Sequence, residues 1–415
     1  MILNYIWVGF FLIAFVVALI KLIFFQDLGV FPDMLNSTFE SAKTGFTISI
    51  SLAGIMSLWL GIMRIGEKGG IVPILAKIVG PFFSRLFPEV PRDHPATGAI
   101  IMNFSANILG LDNAATPLGL KAMKELQDLN PNKDTASNAQ IMFLVLNTSG
   151  LTIIPLSIIA DRVTLGSVNP TSIFIPTLLA TFCSTIVGLI YLCIKQRIRL
   201  LDRVLLTYLG IFMLIIGAVL WYFSTLSKEQ LQLQSNVATS VIIISLIIGF
   251  ILLGVRRKLP LFETFIEGAK EGFDISVKII PYLVAILVAI GMFKSSGTLM
   301  YFNDGIRWLV ALTGANTDFV DALPVALMKP LSASGARSMM ISISELPSKG
   351  GFGPDSFAGN LASIFRGCAE TTFYIVAVYF GSVQIRNTRY AITGGLIADL
   401  AGIIAAIFVA YWFFH

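Results

Sequence analysis

The chain has 415 residues, of which 56% are hydrophobic and 13% are charged, and its mean hydropathy is +0.83. Soluble domains carry about 25% charged residues, so the composition excludes an ordinary soluble protein and indicates a polytopic membrane protein. The net charge of +5 does not indicate nucleic-acid binding, because the basic residues stand at the ends of apolar segments. With three cysteines in no metal-ligand spacing and two histidines, we expect no metal and no cofactor.

Apolar segments predict the membrane helices, since a span needs about 20 apolar residues. In chain order the candidates are 2–25, 45–65, 171–194, 204–226, 237–255, 274–293 and 390–414. Glycine, proline and polar residues interrupt four further apolar stretches, which are 95–111, 136–160, 319–345 and 356–383. Because the ends of broken helices must be covered by protein or water in a bilayer, these four predict re-entrant hairpins or unwound helices. Segments 71–87 and 112–129 have an amphipathic pattern.

The positions of lysine and arginine predict the orientation of the chain. Basic residues cluster in loop 64–94, in linker 195–203 and at 256–258, whereas loop 26–43 is mainly acidic. Cytoplasmic loops carry an excess of lysine and arginine. We therefore expect the N-terminus on the cytoplasmic side and the C-terminus outside.

The chain contains an internal repeat. Segment 39–49, FESAKTGFTIS, matches segment 266–276, IEGAKEGFDIS, at an offset of 227 residues. The charge bias places the two copies on opposite sides of the membrane, so the repeats are expected to be inverted. We predict a first repeat over 1–200, a linking transmembrane helix over 201–230 and a second repeat over 231–415. Inverted repeats commonly enclose a substrate site at their interface, and a duplication retained only for packing is the alternative.

Polar side chains concentrate at the interruptions of the first repeat. The candidate substrate-binding residues there are Asn103, Ser105, Asn107, Asp112, Asn113, Asn147, Thr148 and Ser149. Their neutral donors and acceptors suit a polar solute or a partly dehydrated cation. Hydrogen bonding between helices is the structural alternative.

The interruptions of the second repeat add charged groups. The candidates are Lys329, Ser332, Ser334, Arg337, Arg366, Glu370 and Thr371. A charge in an apolar segment costs about 2.5 to 3.5 kcal/mol on insertion scales, so these residues are expected to be paired or functional. Arg366 and Glu370 have the i, i+4 spacing of a helical ion pair. Lys329 and Arg337 have no nearby acid in the sequence except Glu345, which favours an anionic group on the ligand. Asp112 and Glu370 are candidates for coupling to protons or sodium.

Three strings carry a resemblance to a known family. NILGLDNAATPLGLKAM in the first repeat, and KPLSASGARSMM and GCAETTFY in the second, resemble spore maturation proteins A and B fused in one chain. Both are similar to the nucleoside recognition, or gate-domain, superfamily, which includes concentrative nucleoside transporters and the gate domains of ferrous iron transporters. The resemblance covers essentially the whole chain. It implies a transporter-like fold of inverted repeats with re-entrant hairpins in the bacterial inner membrane, with an A-like first repeat and a B-like second repeat, but no particular substrate.

The leading expectation is a secondary transporter that moves a small polar solute, anionic if the lysine and arginine bind it, by alternating access of the repeats. In this interpretation, removing the charge of Lys329 or Arg337 abolishes solute binding without affecting folding. The alternatives are a non-transporting scaffold or regulator of envelope or spore maturation, and a transporter of lipid headgroups. Enzyme motifs such as GxSxG, HExxH and a Walker loop are missing from the sequence. The expected partners are the solute, membrane lipid and a second copy of the chain through small-residue faces such as 394–402.

Overall fold

The computed structural model describes residues 2–91, 93–108, 112–150, 155–198, 202–226 and 228–415. Within these ranges the chain forms α-helices, two short 3₁₀ helices at Asp318–Ala322 and Pro347–Lys349, and no β-strand. The α-helices are α1 (Ile2–Phe25), α2 (Val30–Gly69), α3 (Ile71–Leu86), α4 (Pro95–Ile108), α5 (Asp112–Leu129), α6 (Asn138–Ser149), α7 (Leu156–Thr164), α8 (Phe174–Gln196), α9 (Arg203–Ser224), α10 (Lys228–Arg256), α11 (Leu261–Ser295), α12 (Thr298–Ala311), α13 (Leu323–Met328), α14 (Ala333–Ser344), α15 (Phe357–Gly367), α16 (Thr372–Ser382) and α17 (Ala391–Phe414).

Seven segments of the described chain are long and apolar enough to cross a membrane. They are Trp7–Phe25, Val30–Gly69, Phe174–Gln196, Val237–Arg256, Leu261–Ser295, Phe357–Ser382 and Ala391–Phe414. The chain is therefore an all-α polytopic membrane protein, which confirms the predicted fold class. Predicted span 204–226 forms α9, which has 22 residues.

Helices α2 and α11 are longer than the predicted spans 45–65 and 274–293. They have 40 and 35 residues, because each helix continues through the polar residues that precede its apolar run. Those residues include Glu40 and Lys43 in α2, and lysine and glutamate are good helix formers. Each of these helices therefore carries a polar segment and an apolar segment on one rigid element.

In each of the four predicted interrupted segments, the described residues belong to more than one helix. Between α4 and α5 the structure describes no residue from 109 to 111, and four residues, 329–332, separate the end of α13 from Ala333 at the start of α14. Helix α6 ends at Gly150, whose left-handed φ of 52° stops the helix. Segment Phe357–Ser382 is apolar enough for one span, but it is divided into α15 and α16 at residues 368–371. Broken helices are therefore confirmed in segments 136–160, 319–345 and 356–383, whereas the break predicted in 95–111 lies outside the described residues.

The same order of helices occurs twice in the chain. Helices α1 to α8 and α10 to α17 each run as two long helices, then short helices, then a long terminal helix, with α9 between the sets. Gly70 and Gly297, which are 227 residues apart, both adopt a left-handed conformation, with φ of 89° and 84°, and open α3 and α12. This agreement extends the repeat beyond the matching motif, while the domain boundaries 1–200, 201–230 and 231–415 stay a prediction.

The repeated motif packs α2 against α11 in antiparallel fashion. A methyl group on Gly45 would lie 3.1 Å from the backbone of Val284, and one on Gly272 would lie 2.6 Å from the carbonyl of Met56 and 2.7 Å from the nitrogen of Ser57. Gly45 and Gly272 are equivalent at the offset of 227, as are Ser57 and Val284. Equivalent residues thus make reciprocal contacts, which is the mark of a two-fold relation between the two helices. An antiparallel pair of equivalent helices agrees with inverted repeats.

The small residues of α17 pack inside the chain. A methyl group on Gly394 would lie 3.0 Å from the side chain of Val145, and one on Gly402 would lie 3.0 Å from the carbonyl oxygen of Cys368. A methyl group on Gly188 of α8 would lie 3.1 Å from Ala398. This face of α17 allows close helix packing, as small residues do in membrane proteins. These glycines approach residues of the same chain, so the face does not support self-association, which stays a prediction.

The chain divides into two compact units that do not follow the halves of the sequence. Unit 1 contains Met1–Gly61, Ser157–Pro170 and Ile266–Arg366, and unit 2 contains Ile62–Leu156, Thr171–Phe265 and Gly367–His415. Each unit draws segments from both repeats. The site residues predicted from the sequence are accordingly distributed between the two units.

Candidate functional site

In unit 2, three asparagines of the first repeat form a hydrogen-bonded cluster between α4 and α6. Asn103 Nδ2 donates to the carbonyl oxygen of Ala115 at 2.8 Å, which ties α4 to α5. Asn107 Nδ2 donates to Asn147 Oδ1 at 2.7 Å, and Asn147 Nδ2 donates to the carbonyl oxygen of Phe143 at 2.8 Å. Asn103 and Asn147 are buried. The structure therefore brings together residues that are 40 positions apart, with amides that mainly bind other parts of the protein.

The hydroxyl groups beside these asparagines bond to their own helices. Ser105 Oγ donates to the carbonyl of Ile101 at 2.8 Å, Thr148 Oγ1 to Val145 at 2.8 Å and Ser149 Oγ to Leu146 at 3.1 Å. Such bonds to a preceding turn satisfy a buried hydroxyl without a ligand. The side chains of Asp112 and Asn113 lie outside the described residues.

We expect Asn107→Ala to lower the free energy of unfolding by about 1 kcal/mol, because the buried Oδ1 of Asn147 loses its donor. Thermal unfolding of the protein in detergent measures this change. Ser105→Ala is the matched control on the same helix, because its hydroxyl serves only the preceding turn. Equal stability of wild type and Asn107→Ala would show that the amide pair does not stabilise unit 2.

The break between α15 and α16 joins the same region of unit 2. The backbone N–H of Glu370 donates to the carbonyl oxygen of Thr148 at 2.7 Å. A methyl group on Gly150 would lie 3.0 Å from Glu370 Cγ, so the close approach needs glycine. The carboxylate of Glu370 forms no hydrogen bond or ion pair within the described part of the chain, and the buried Oγ1 of Thr371 has no hydrogen-bond partner there. These two groups remain candidates for contact with a ligand.

One acidic residue near this break was not predicted from the sequence. Asp399 lies in the middle of α17, is 3% exposed, and accepts a hydrogen bond from Thr372 Oγ1 at 2.7 Å. A carboxylate within an apolar span is costly and commonly functional. The interruption of the apolar run GLIADLAGII by a single acid was the available signal.

In unit 1, a buried aspartate binds two arginines. Arg337 makes a bidentate contact with Asp161, with Nη2 2.6 Å from Oδ1 and Nε 3.0 Å from Oδ2. Arg366 Nη1 lies 3.0 Å from Asp161 Oδ2. The side chain of Asp161 is 0% exposed, and those of Arg337 and Arg366 are 10% and 12% exposed. We call these three residues the Asp161 triad, which carries a net charge of one positive unit.

The triad corrects two predictions. Arg337 was expected to have no nearby acid except Glu345, but it pairs with Asp161. This partner lies 176 positions away and cannot be recognised from the sequence. Arg366 pairs with Asp161, and since α15 ends at Gly367, Arg366 and Glu370 do not share a helix. The i, i+4 ion pair is therefore wrong. Removing the charge of Arg337 is also no clean test of solute binding, because it leaves the triad incomplete.

Two further buried cations of unit 1, Arg162 and Lys329, differ in their surroundings. Arg162, which follows Asp161, is 0% exposed and has Nη2 2.9 Å from Asp355 Oδ1. Lys329 is 6% exposed and its ammonium has no ion pair or hydrogen bond within the described residues. Ser332 opens α14 by accepting a hydrogen bond from the N–H of Gly335 at 3.0 Å, and its Oγ lies 3.2 Å from that of Ser334. Lys329 therefore stays a candidate for contact with a ligand, whereas Ser332 has a structural role as a helix cap.

The same unit contains a cavity of about 770 Å³. Four elements line it: α2, the end of α7, the end of α11 and the end of α14 with the loop after it. Its volume lies within the range of about 300 to 1,000 Å³ of small-molecule sites. None of the site residues predicted from the sequence is among the residues that line the cavity, so the assignment of those residues to a solute stays a prediction.

The lining of this cavity is rich in hydroxyl groups and has balanced charges. The hydroxyl residues are Ser37, Ser41, Thr44, Thr47, Ser51, Thr164, Ser295, Ser342 and Ser348. The charged ones are Glu40, Lys43, Lys294 and Glu345, of which Lys294 and Glu345 approach to 4.0 Å. A methyl group on Gly291 would overlap Ser41 Oγ, so glycine there leaves room for the serine. The signal missed in the sequence is the helical spacing of Ser37, Ser41, Thr44 and Ser51 along α2.

Comparison with known proteins agrees with this architecture. Residues 49–162 match a family model described as Gate: Nucleoside recognition. Over 187 residues the chain is 43% identical to spore maturation protein A of Bacillus subtilis (strain 168). This match covers 45% of this chain and 92% of that protein. Over 164 residues it is 41% identical to spore maturation protein B of the same organism. This second match covers 40% of this chain and 88% of that protein.

The helices and the gate-domain match fit a multi-pass membrane protein of transporter type. Within that class, the chain belongs to the spore maturation protein A and B family, with both relatives represented in one fused chain. The resemblance read from the three sequence strings is confirmed. Neither the gate-domain family nor the spore maturation proteins are families of enzymes.

Proposed function

We propose that this protein is a secondary transporter of the bacterial inner membrane that moves a small polar solute by alternating access of two inverted repeats. The observation that carries the proposal is the cavity of about 770 Å³ in unit 1, lined by hydroxyl and charged side chains. In a chain that is 56% hydrophobic, a polar cavity is costly unless water or a solute occupies it. A binding site for a polar solute explains why these side chains face one space.

The packing of the two repeats supports the alternating-access part of the proposal. Gly45 and Gly272 place the equivalent helices α2 and α11 in close antiparallel contact. Alternating access in inverted-repeat transporters arises when equivalent elements exchange their arrangements around a fixed site. The proposed orientation has the N-terminus inside and the C-terminus outside, with the A-like repeat over 1–200 and the B-like repeat over 231–415. Lys329 in unit 1, and separately Glu370 and Thr371 in unit 2, are proposed to contact the solute or a coupling ion.

Filling the cavity should stop transport. We expect Thr44→Leu to reduce uptake to the level of protein-free vesicles, because leucine places an apolar branch in the space where the solute binds. The measurement is uptake of radiolabelled β-alanine, lactate, ethanolamine, erythritol and uridine by sealed vesicles that contain the full chain. The same substitution at Thr38 is the control, since Thr38 lies on α2, bonds to the carbonyl of Met34 and does not line the cavity.

The same experiment separates transport from the alternatives. A scaffold or regulator of envelope maturation predicts no uptake of any probe by the wild-type protein. A transporter of lipid headgroups predicts movement of a labelled lipid between leaflets, without uptake of the soluble probes. Uptake that survives Thr44→Leu undiminished would place the pathway outside this cavity.

A further inference from the structure

Three of the hydroxyl groups that line the cavity, all on α2, are not used by their own helix. Elsewhere on α2, Ser49 Oγ donates to the carbonyl of Gly45 at 2.8 Å and Thr38 Oγ1 donates to that of Met34 at 2.9 Å. Ser41, Thr44 and Ser51 line the cavity and have no hydrogen-bond partner among the residues that the structure describes. Helical serine and threonine usually bond to the preceding turn when nothing else is within reach. These three hydroxyls are thus free to bind a solute.

The charges of the lining sum to zero. Two acids, Glu40 and Glu345, face the cavity together with two lysines, Lys43 and Lys294. Lys294 and Glu345 lie 4.0 Å apart, whereas Glu40 and Lys43 form no ion pair in the described part of the chain. A solute with a net charge would be attracted by two of these side chains and repelled by the other two. The lining therefore does not favour a solute with net charge.

Glu40 and Lys43 are placed to bind opposite charges on one molecule. They are three residues apart on α2, and such positions are neighbours on a helix, with Cβ atoms about 5 to 6 Å apart. An ammonium group at Glu40 and a carboxylate at Lys43 would lie within a few bonds of each other. That separation matches a small amino acid.

The lining also argues against an aromatic solute. None of the residues that line the cavity is phenylalanine, tyrosine or tryptophan, although the chain contains 32 phenylalanines. Nucleobases are commonly bound by stacking on aromatic side chains. A nucleoside would have no such surface in this cavity.

We propose that the cavity of unit 1 is a binding site for a small, non-aromatic zwitterion. Glu40 binds its ammonium group, Lys43 binds its carboxylate, and the hydroxyls of Ser41, Thr44 and Ser51 bind its remaining polar atoms. This inference rests on the proposed transport function, and it specifies the class of solute for the same cavity. It replaces the anionic solute expected from Lys329 and Arg337.

Four small probes and one nucleoside test the inference on the full chain in detergent. β-Alanine is the zwitterion, lactate the anion, ethanolamine the cation, erythritol the neutral polyol and uridine the aromatic probe. We expect calorimetry to show β-alanine binding at least about tenfold more tightly than the other four. Tighter binding of lactate, erythritol or uridine, or no binding of β-alanine at millimolar concentration, overturns the proposal.

Two single substitutions change the charge of the lining in opposite directions. Glu40→Gln leaves it with one positive charge, so lactate should bind more tightly than ethanolamine. Lys43→Gln leaves it with one negative charge, so the order should reverse. Both residues are exposed, and we expect unfolding temperatures close to wild type. Thr38→Val is the control and should keep the wild-type preference for β-alanine. Identical preferences in both charge variants would exclude Glu40 and Lys43 as the binding groups.

Vesicle uptake distinguishes a failure of this inference from a failure of the transport proposal. If erythritol or lactate crosses the membrane while β-alanine neither binds nor crosses, transport stands and the zwitterion assignment is wrong. If β-alanine binds with the expected charge dependence but no probe crosses, the site assignment stands and the transport function is wrong.

Discussion

Asp161→Ala is expected to lower the free energy of unfolding by about 3 to 5 kcal/mol, because breaking a buried ion pair leaves uncompensated charge in a region of low dielectric. Arg337 and Arg366 both pair with this carboxylate, so its removal affects two cations. The carboxylate is 0% exposed, so water cannot replace it without a rearrangement of unit 1. Thermal unfolding in detergent, followed by tryptophan fluorescence, measures the change.

An exposed ion pair in the same unit provides the control for Asp161. Asp304 contacts Arg307 at 3.0 Å, and its side chain is 53% exposed. Asp304→Ala should therefore change the stability by at most about 1 kcal/mol. If Asp161→Ala and Asp304→Ala unfold at the same temperature, the Asp161 triad does not stabilise the protein, and its charges would be free for a ligand as the sequence first indicated.

Gly272→Ala is expected to destabilise the protein by about 1 to 3 kcal/mol, the range for overpacking a close contact. The added methyl group would lie 2.6 Å from the carbonyl of Met56, and a backbone atom cannot move aside as a flexible side chain can. The contact lies in the antiparallel pair of α2 and α11, so the two helices must separate. The unfolding temperature in detergent and the rate of vesicle uptake should both be lower than for the wild type.

Gly54 is the matched control for Gly272. It lies on α2, and a methyl group there would have no atom within 4 Å. Gly54→Ala should be neutral or stabilise the helix by up to about 1 kcal/mol, because alanine has the higher helix propensity. The equivalent change Gly45→Ala meets Val284 at 3.1 Å and should have a smaller effect than Gly272→Ala. Equal stability of all three variants would exclude close packing as the reason for the repeated GF motif.

The reciprocal contacts give the repeated motif a physical meaning. Ser49 and Ser276 are equivalent, and each donates to the carbonyl of the glycine four residues earlier, at 2.8 and 3.0 Å. The glycine removes the side chain at the helix crossing, and the serine satisfies its hydroxyl within its own helix. A motif of this kind can be recognised in sequence as a repeat, but its role in packing depends on the second copy.

The cavity was not predicted because its residues come from distant parts of the chain. Thr44, Thr164, Lys294 and Ser342 lie on four different elements, and only folding places them around one space. Taken singly, each is an ordinary helical residue. Polar residues beside helix breakers resemble a site in sequence. In the structure Asn103 bonds to α5, and Ser105 and Asn147 donate to the preceding turn of their own helices.

The sequence by itself determined the membrane class, the positions of most long helices, the four interrupted segments and the internal repeat, because apolar length, helix breakers and self-similarity are local properties of a chain. The tertiary structure alone decided the partners of the buried charges and the location of the cavity. Asp161 and Arg337 are separated by 176 positions, and no local pattern specifies which acid a buried arginine will meet. Coulomb attraction acts through space, so its partners are settled only when the helices pack.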